Sequence, residues 1–203
     1  MHNVFRNKCL LSGNYFILVF FIVLSGCASG KLNISQKESS GFPPGPTITE
    51  KNTSWWTVSF KVYWPDDTPL DFAVDLLLAH AVVSPALEKH YKDIRWWQFH
   101  RRAARDDAGH KFSFLFYSDA STAKQLIDEI NGNSVLLNAL NDKLVEKTSF
   151  DSTSTLPHPQ IEAMSDKHWT PELQRNWPTY IMGVSGLWLG LIDDMMRGDS
   201  NSG

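Results

Sequence analysis

Residues 55–64, WWTVSFKVYW, alternate between two sets of side chains, and this alternation decides the fold class. Every second residue from Trp56 onward is large and apolar, whereas the other set is mixed and includes Lys61. A period of two predicts a strand with one face in a core. Pro65 and the two aspartates after it end the run. The folded part of the chain is therefore expected to begin with a half-buried strand.

Two more aromatic runs follow along the chain. They are residues 94–102, IRWWQFHRR, and residues 111–117, KFSFLFY, and the link between them contains Gly109. Two such runs around a polar, glycine-containing link predict a β-hairpin with a longer loop. The second run is apolar on both of its faces, which is typical of a central strand.

Helical patterns separate and follow these strands. Thr68 and Pro69 have the residue types of a helix start, and they predict a buried helix to about Val83. Pro85 should kink or break this helix before a short second one that ends near Tyr91.

The C-terminal half is predicted to contain helices and one polar, proline-containing loop over residues 150–167. Asp119 should cap a helix over residues 120–131, and Ser134 should cap a second over residues 135–147. A last helical region should begin at residues 170–172 and kink before Pro178.

The order strand, helix, strand, strand, helices predicts an α+β fold with a small antiparallel sheet of about three strands. If the first strand pairs with the third, and the third with the second, residues 111–117 lie in the middle. This arrangement is a split βαβ unit and resembles a ferredoxin-like domain with helices in place of its fourth strand and a helical C-terminal extension. We expect one such domain over residues 55–197, with a disordered tail at 198–203.

The N-terminal segment has the layout of a secretory signal. Arg6 and Lys8 precede the apolar residues 15–24, and no acid lies among them. Ten apolar residues are too few for a membrane-spanning helix, which needs about 20. Residues 24–27, LSGC, then resemble the lipobox of bacterial lipoproteins.

The resemblance implies that residues 1–26 are removed and that Cys27 becomes the lipidated first residue. It also implies a membrane-anchored protein of the cell envelope, and Ala28 resembles the pattern that directs Gram-negative lipoproteins to the outer membrane, where the domain would face the periplasm. The alternative is ordinary secretion with cleavage after Gly30.

The segment after Cys27 is expected to be a flexible tether over residues 27–54, because it is rich in Ser, Gly, Pro, Lys and Asn. Loss of Arg6 and Lys8 moves the formal charge from −3 to −5. A negative chain makes nucleic acid a poor partner.

The hairpin offers the first candidate site. Arginine and histidine side chains that could hold an anion or a carboxylate are concentrated there: His100, Arg101, Arg102, Arg105 and His110. His100 shares a strand face with Trp96 and Gln98, so it is expected to be the most shielded of them. The alternative is a solvated tip in which the arginines pair with the nearby aspartates.

The last helical region offers the second candidate site. Residues 181–192 carry no charge, and Gly183, Gly186 and Gly190 could leave a groove for a partner helix. The alternative is packing within the domain against residues 71–83.

No metal or cofactor is expected. The six histidines after Cys27 form no close pair, no cysteine cluster exists, and no nucleophile elbow or phosphate loop is present. Asp75 and His80 are unusual on an otherwise apolar helix, where they either reach the surface or pair within the core. The eight tryptophans could bind a sugar or peptide, although they more often fill a core.

The sequence therefore favours a lipid-anchored envelope protein that acts as a non-enzymatic binding or assembly module, with an envelope protein as its partner. One alternative is a periplasmic enzyme acting on an anionic substrate through the region of His100 and the hairpin arginines. A purely structural lipoprotein is the other.

Overall fold

A computed structural model describes residues 52–200, which form an α+β fold. The strands are β1 (Thr53–Val62), β2 (Trp96–Ala103), β3 (His110–Asp119) and β4 (Val145–Phe150). The helices are α1 (Ala73–Leu77), α2 (Ser84–His90), α3 (Ala120–Gly132), α4 (Ser134–Asn141) and α5 (Pro171–Ser200). A π-helical segment, Leu78–Val83, joins α1 to α2, and short 3₁₀ helices lie at Tyr91–Asp93 and Ile161–Met164.

The four strands form one antiparallel sheet in the order β2-β3-β1-β4. The α+β class and the pairing of the first strand with the third, and of the third with the second, are confirmed. The expected count of about three strands is wrong, because β4 adds a fourth strand beside β1. We had expected helices in its place.

Strand β4 escaped prediction because α4 ends earlier than its leucine pattern suggests. Lys143 has a φ of 59°, and its N–H donates to the carbonyl of Leu140, while the N–H of Leu144 donates to that of Ala139. This pair of bonds is a Schellman motif, which normally has glycine at the left-handed position. Lysine there gives no sequence signal, and the prediction that the helix includes residues 145–147 is wrong.

The caps of the middle helices are partly as expected. The Asp119 carboxylate accepts the N–H groups of Ser121 and Thr122 and caps α3, as predicted. The cap of α4 is Asn133 rather than Ser134, because its side-chain oxygen accepts the N–H of Val135.

The first helix starts later than predicted. Thr68 closes a turn through its bonds to the carbonyl of Pro65, so it does not cap the helix. Asp71 instead accepts the N–H of Ala73, where α1 begins.

Pro85 does not end the helical path, which continues from the π-helical segment into α2. Proline has no N–H, so the carbonyl four residues earlier loses its helical donor. That carbonyl belongs to Ala81, and it accepts the side-chain N–H of Asn133 at 3.0 Å. The helical path therefore does not break at Pro85, and the carbonyl that the proline leaves free is satisfied by Asn133, the N-cap residue of α4.

The core lies between one sheet face and the helices. The buried side chains from the strands are Trp56, Val58, Phe60, Val62, Trp97, Phe112, Phe114 and Phe116. They meet Leu78, Val82, Leu87, Leu126, Ile130, Leu136 and Ile192 from the helices. Many of the aromatic residues thus fill the core, as one of the two alternatives predicted.

One end of the opposite sheet face is covered by the segment after β4. The Trp55 indole N–H donates to the carbonyl of Ile161 at 2.9 Å, and the Tyr117 hydroxyl donates to that of Pro159 at 2.9 Å. Both aromatic residues are buried as a result.

Helix α5 packs along the edge of the sheet at β2. The N–H of Phe99 would face outward from this edge strand, and it donates to the Ser185 hydroxyl of α5 at 3.1 Å. Covering an edge in this way prevents it from pairing with another strand. The helix runs through Pro178 and continues past Arg197 to Ser200.

The signal segment, Cys27 and almost all of the expected tether lie outside the described residues. The predictions for them stay predictions.

Candidate functional site

The predicted anion site on the hairpin is not assembled, because strand alternation divides its members. On β2, Arg101 lies on the helix-covered face opposite Phe112, and Arg102 lies on the other face opposite Lys111. His110 pairs with Ala103 on the same face as Arg101. The five residues do not converge on one point, which favours the alternative of a solvated tip in which the arginines pair with nearby aspartates.

Arg102 closes the hairpin link. Its guanidinium pairs with the carboxylate of Asp106, whose pKa this bond lowers to about 2. The N–H of Gly109 donates to the carbonyl of Asp106, and Gly109 has a φ of 59°, which suits glycine. The expected pairing with a nearby aspartate is therefore present for Arg102.

Arg105 holds the turn after β1. Its guanidinium lies 3.5 Å from the ring centroid of Trp64 and donates to the carbonyls of Pro65 and Thr68 at 2.8 and 2.6 Å. These bonds engage both terminal nitrogens of Arg105 with acceptors of the chain itself.

The shielded histidine of the group is His110, not His100. His100 is exposed, so the prediction that it is the most shielded residue of the group is wrong. It lies toward the open end of a face that is covered mainly around Trp55 and Tyr117. His110 starts β3 on the helix-covered face and is 1% exposed.

His110 forms a buried pair with Asp75, which is fully buried. The His110 Nε2 lies 3.0 and 3.1 Å from the two carboxylate oxygens, and its geometry favours a bond to Oδ2. Oδ1 has no well-directed donor among the described residues. Asp75 therefore pairs within the core, which was one of its two predicted fates.

Burial raises the pKa of the Asp75 carboxyl, whereas the bond from His110 and the charge of Arg101 act in the opposite direction. Phe72 and Trp64 meet the His110 ring edge-on, at centroid distances of 5.8 and 6.4 Å. An Asp–His pair can serve as a catalytic base and its orienting group. Here the rings close over it, and no nucleophile accompanies it in the described contacts.

His80 forms a second Asp–His pair that joins the π-helical segment to α5. Its Nδ1 lies 2.6 Å from Oδ1 of Asp193, and both side chains are partly exposed. Helix α5 does contact residues from the 71–83 region, as the packing alternative predicted, but β2 is its larger partner.

Helix α5 has an inner face that packs on the domain. Ser185, Leu189 and Ile192 are buried, and Trp188 contacts Phe99 and Phe112 at centroid distances of 5.2 and 6.1 Å. This face accounts for Trp188, Leu189 and Ile192 among the apolar residues of the helix.

A second side of α5 is apolar as well. We call it the outer stripe, and its members lie three or four residues apart: Leu173, Trp177, Tyr180, Val184, Leu187, Leu191 and Met195. All but Trp177 are exposed, and Leu187 and Tyr180 are 68% and 63% exposed. At 100° per residue the stripe lies about 105° around the helix from the inner face. Among the described residues, Trp169 packs against the stripe at Trp177.

The three glycines of α5 do not line one groove. A Cβ on Gly186 would meet the Trp97 ring at 3.9 Å, so this glycine faces the domain. A Cβ on Gly183 or Gly190 would meet nothing within 4 Å. These two lie seven residues apart beside the outer stripe. The prediction of a shared groove is therefore wrong for Gly186, while Gly183 and Gly190 border an open surface.

The N-terminal end of the outer stripe borders a cavity of about 370 Å³. It is lined by Trp169, Leu173, Asn176, Trp177 and Tyr180. Trp169 and Trp177 pack edge to face, with centroids 4.8 Å apart. The lining is almost wholly apolar, so it suits an apolar side chain better than a sugar, which needs several polar contacts.

Other kinds of site have less support in the described chain. Within residues 52–200, no three His, Cys, Asp or Glu side chains are placed to hold a metal ion. In the same residues no helix combines the length and apolarity that crossing a membrane requires. Comparisons with models of known families, with curated proteins and with solved structures find no match for this chain.

Proposed function

We propose that this chain is a lipid-anchored envelope protein whose domain is a binding or assembly module, and that the outer stripe of α5 is its binding surface. The single observation that carries the proposal is the exposure of this stripe. Seven apolar side chains on one helix form a continuous surface rather than scattered residues. Such surfaces on soluble domains mark interaction sites.

The energetics of α5 support a binding role. A helix with apolar residues all round is expected to be buried on all sides. The inner face meets this expectation, since Leu189 and Ile192 are buried in the core. The outer stripe is exposed instead. Removing apolar surface from water is favourable by about 25 cal/mol per Å². A partner that covers the stripe would gain this free energy.

The anchor in the proposal rests on the lipobox-like residues that end at Cys27. Labelling with a palmitate analogue should mark the wild-type chain and not Cys27→Ala, and equal labelling of both would remove the anchor from the proposal. We also propose that the domain is ferredoxin-like, because the strand order β2-β3-β1-β4 and the helices after β1 and β3 follow that topology.

The rival proposal, a periplasmic enzyme acting through the hairpin, has less support. Its arginines lie on two sheet faces, Arg102 and Arg105 already hold the loops around them, and His100 has no catalytic partner in the described contacts. The Asp75–His110 pair has catalytic chemistry, but it is closed over by Phe72 and Trp64.

A site-specific photocrosslinker tests the binding surface. Placed at Leu187 of the full-length chain in growing cells, it should give a discrete crosslinked protein species. The matched control carries the same group at Gln125, which is exposed on α3. Equal crosslinking at the two positions, or none at Leu187, would refute the proposed surface.

A further inference from the structure

The spacing of the outer stripe favours another helix as its occupant. Alternating steps of four and three residues connect Leu173 to Leu191, and this is the repeat by which two helices pack along a shared seam. The stripe extends over the 23 residues from Leu173 to Met195, or about 33 Å of helix.

The outer stripe could be covered by another helix or by a lipid surface, and Gly183 and Gly190 favour the helix. Each glycine destabilises α5 by about 1 kcal/mol relative to alanine. No atom of the domain uses the space that its missing Cβ leaves. A lipid surface would accommodate alanine equally well, whereas a second backbone can approach closely only where side chains are small.

The charges of α5 also disfavour a lipid surface. Pro171–Ser200 contains four acids, two arginines and no lysine. Helices that lie on membranes are typically rich in lysine and arginine beside their apolar face.

The stripe is complementary to itself when two copies run in opposite directions. With Val184 at the centre, Leu173 of one copy meets Met195 of the other, and Trp177 meets Leu191. Large aromatic side chains thus face aliphatic ones. A parallel pair would instead place Trp177 against Trp177 and Asp194 against Asp194.

The end charges agree with the antiparallel direction. It brings Glu172 of one copy, which pairs with Arg175 in its own helix, to the level of Arg197 of the other. Opposite charges placed across an interface favour that register over others.

We propose that the outer stripe binds the same stripe of a second copy of this chain, antiparallel, with Val184 on the twofold axis. This inference rests on the proposed function, because it names the partner of the same surface. A strip about 33 Å long and about 12 Å wide has an area of about 400 Å² per copy, against about 800 Å² in a standard interface. The dimer is therefore weak in dilute solution, and an anchor that confines both copies to one surface raises their effective concentration.

Disulfide crosslinking in cells tests the pairing and its direction. Two differently tagged full-length chains are produced together, one with Leu173→Cys and the other with Met195→Cys, and the cells are treated with an oxidant. The antiparallel dimer gives the mixed crosslink and neither of the two self-crosslinks. Chains without an added cysteine report any background from Cys9 and Cys27, and a Gln125→Cys pair reports chance collisions.

A charge pair at the axis gives a second test. Val184 is exposed, so Val184→Asp and Val184→Lys should leave the fold intact. When both tagged copies carry the same substitution, like charges meet and the crosslink yield should fall by about tenfold or more. Placing Asp in one copy and Lys in the other should restore it.

Self-crosslinks at Leu173 or Met195, yields no higher than with Gln125→Cys, or no rescue by the Asp–Lys pair would each overturn the inference. The proposed function fails separately. If the probe at Leu187 captures a different protein and no α5–α5 disulfide forms, the binding surface stands and self-pairing is wrong.

Discussion

The β2–β3 hairpin and helix α5 differ in where their side chains find partners. The hairpin carries the dense charges of a ligand site, yet Arg102 pairs with Asp106, Arg105 with backbone carbonyls, and His110 with Asp75. Helix α5 carries few charges, and six apolar side chains of its outer stripe are exposed. An apolar surface that is exposed in the described chain therefore marks a candidate binding site better than a cluster of charged residues does.

The physical reason lies in the strength of each kind of demand. A charged side chain beside an opposite charge or a carbonyl is satisfied locally, and at the surface water completes its shell. An exposed leucine cannot be satisfied by a nearby charge or carbonyl, because only another apolar surface removes it from water.

The largest predicted effect concerns the hairpin, at its buried pair of His110 with Asp75. His110→Ala leaves the buried Asp75 carboxylate without its partner, and we expect a loss of about 3 kcal/mol of unfolding free energy near neutral pH. Denaturant unfolding measures this loss. His110→Gln, which keeps an N–H donor, should lose less. An unchanged free energy of unfolding in His110→Ala would mean that the pair with Asp75 does not stabilise the fold. The hairpin residues would then not differ from α5 in the way described above.

The loss should depend on pH in a known direction. Burial makes the folded state hold the Asp75 proton more strongly than the unfolded state, so the stability from this group is present at low pH and is lost as pH rises through its raised pKa. The effect of His110→Ala should therefore shrink as pH falls. A loss that is constant between neutral pH and about pH 4, near the ordinary aspartate pKa, would contradict an ionised Asp75.

The next effect compares the two sides of α5. Trp188→Ala removes a half-buried ring from Phe99 and Phe112, and we expect a loss of about 2 kcal/mol. Leu187→Ala, one residue away on the outer stripe, should change the stability by less than about 0.5 kcal/mol at low protein concentration. Equal losses from the two substitutions in chemical denaturation would mean that the outer stripe is covered within the chain.

The smallest effect has the opposite sign. Gly190→Ala adds a methyl group in open space and removes the conformational cost of glycine, so it should stabilise the domain by about 1 kcal/mol. Thermal unfolding at low concentration measures this gain. A destabilised Gly190→Ala variant would show that some part of the chain lies against α5 there.

Some of the strands could be predicted from the sequence, and others could not. Alternation in residues 55–64 and the two-sided apolarity of residues 111–117 placed β1 and the central β3 correctly. Strand β4 was missed because a lysine, rather than a glycine, takes the left-handed position at residue 143. The steps of four and three in the outer stripe were visible in the sequence, but a core-facing seam has the same spacing. Only burial distinguishes the two.

By itself, the sequence determined the α+β class, the hairpin, the cap at Asp119 and the helical C-terminal region. These depend on local period and on groups within a few residues of each other. Only the tertiary structure decided that His110 and not His100 is buried, that Asp75 is its partner, and that α5 turns Gly186 inward and Gly183 outward. Each of these depends on contacts between segments far apart in the chain, and no local pattern encodes which of two similar faces such a contact will cover.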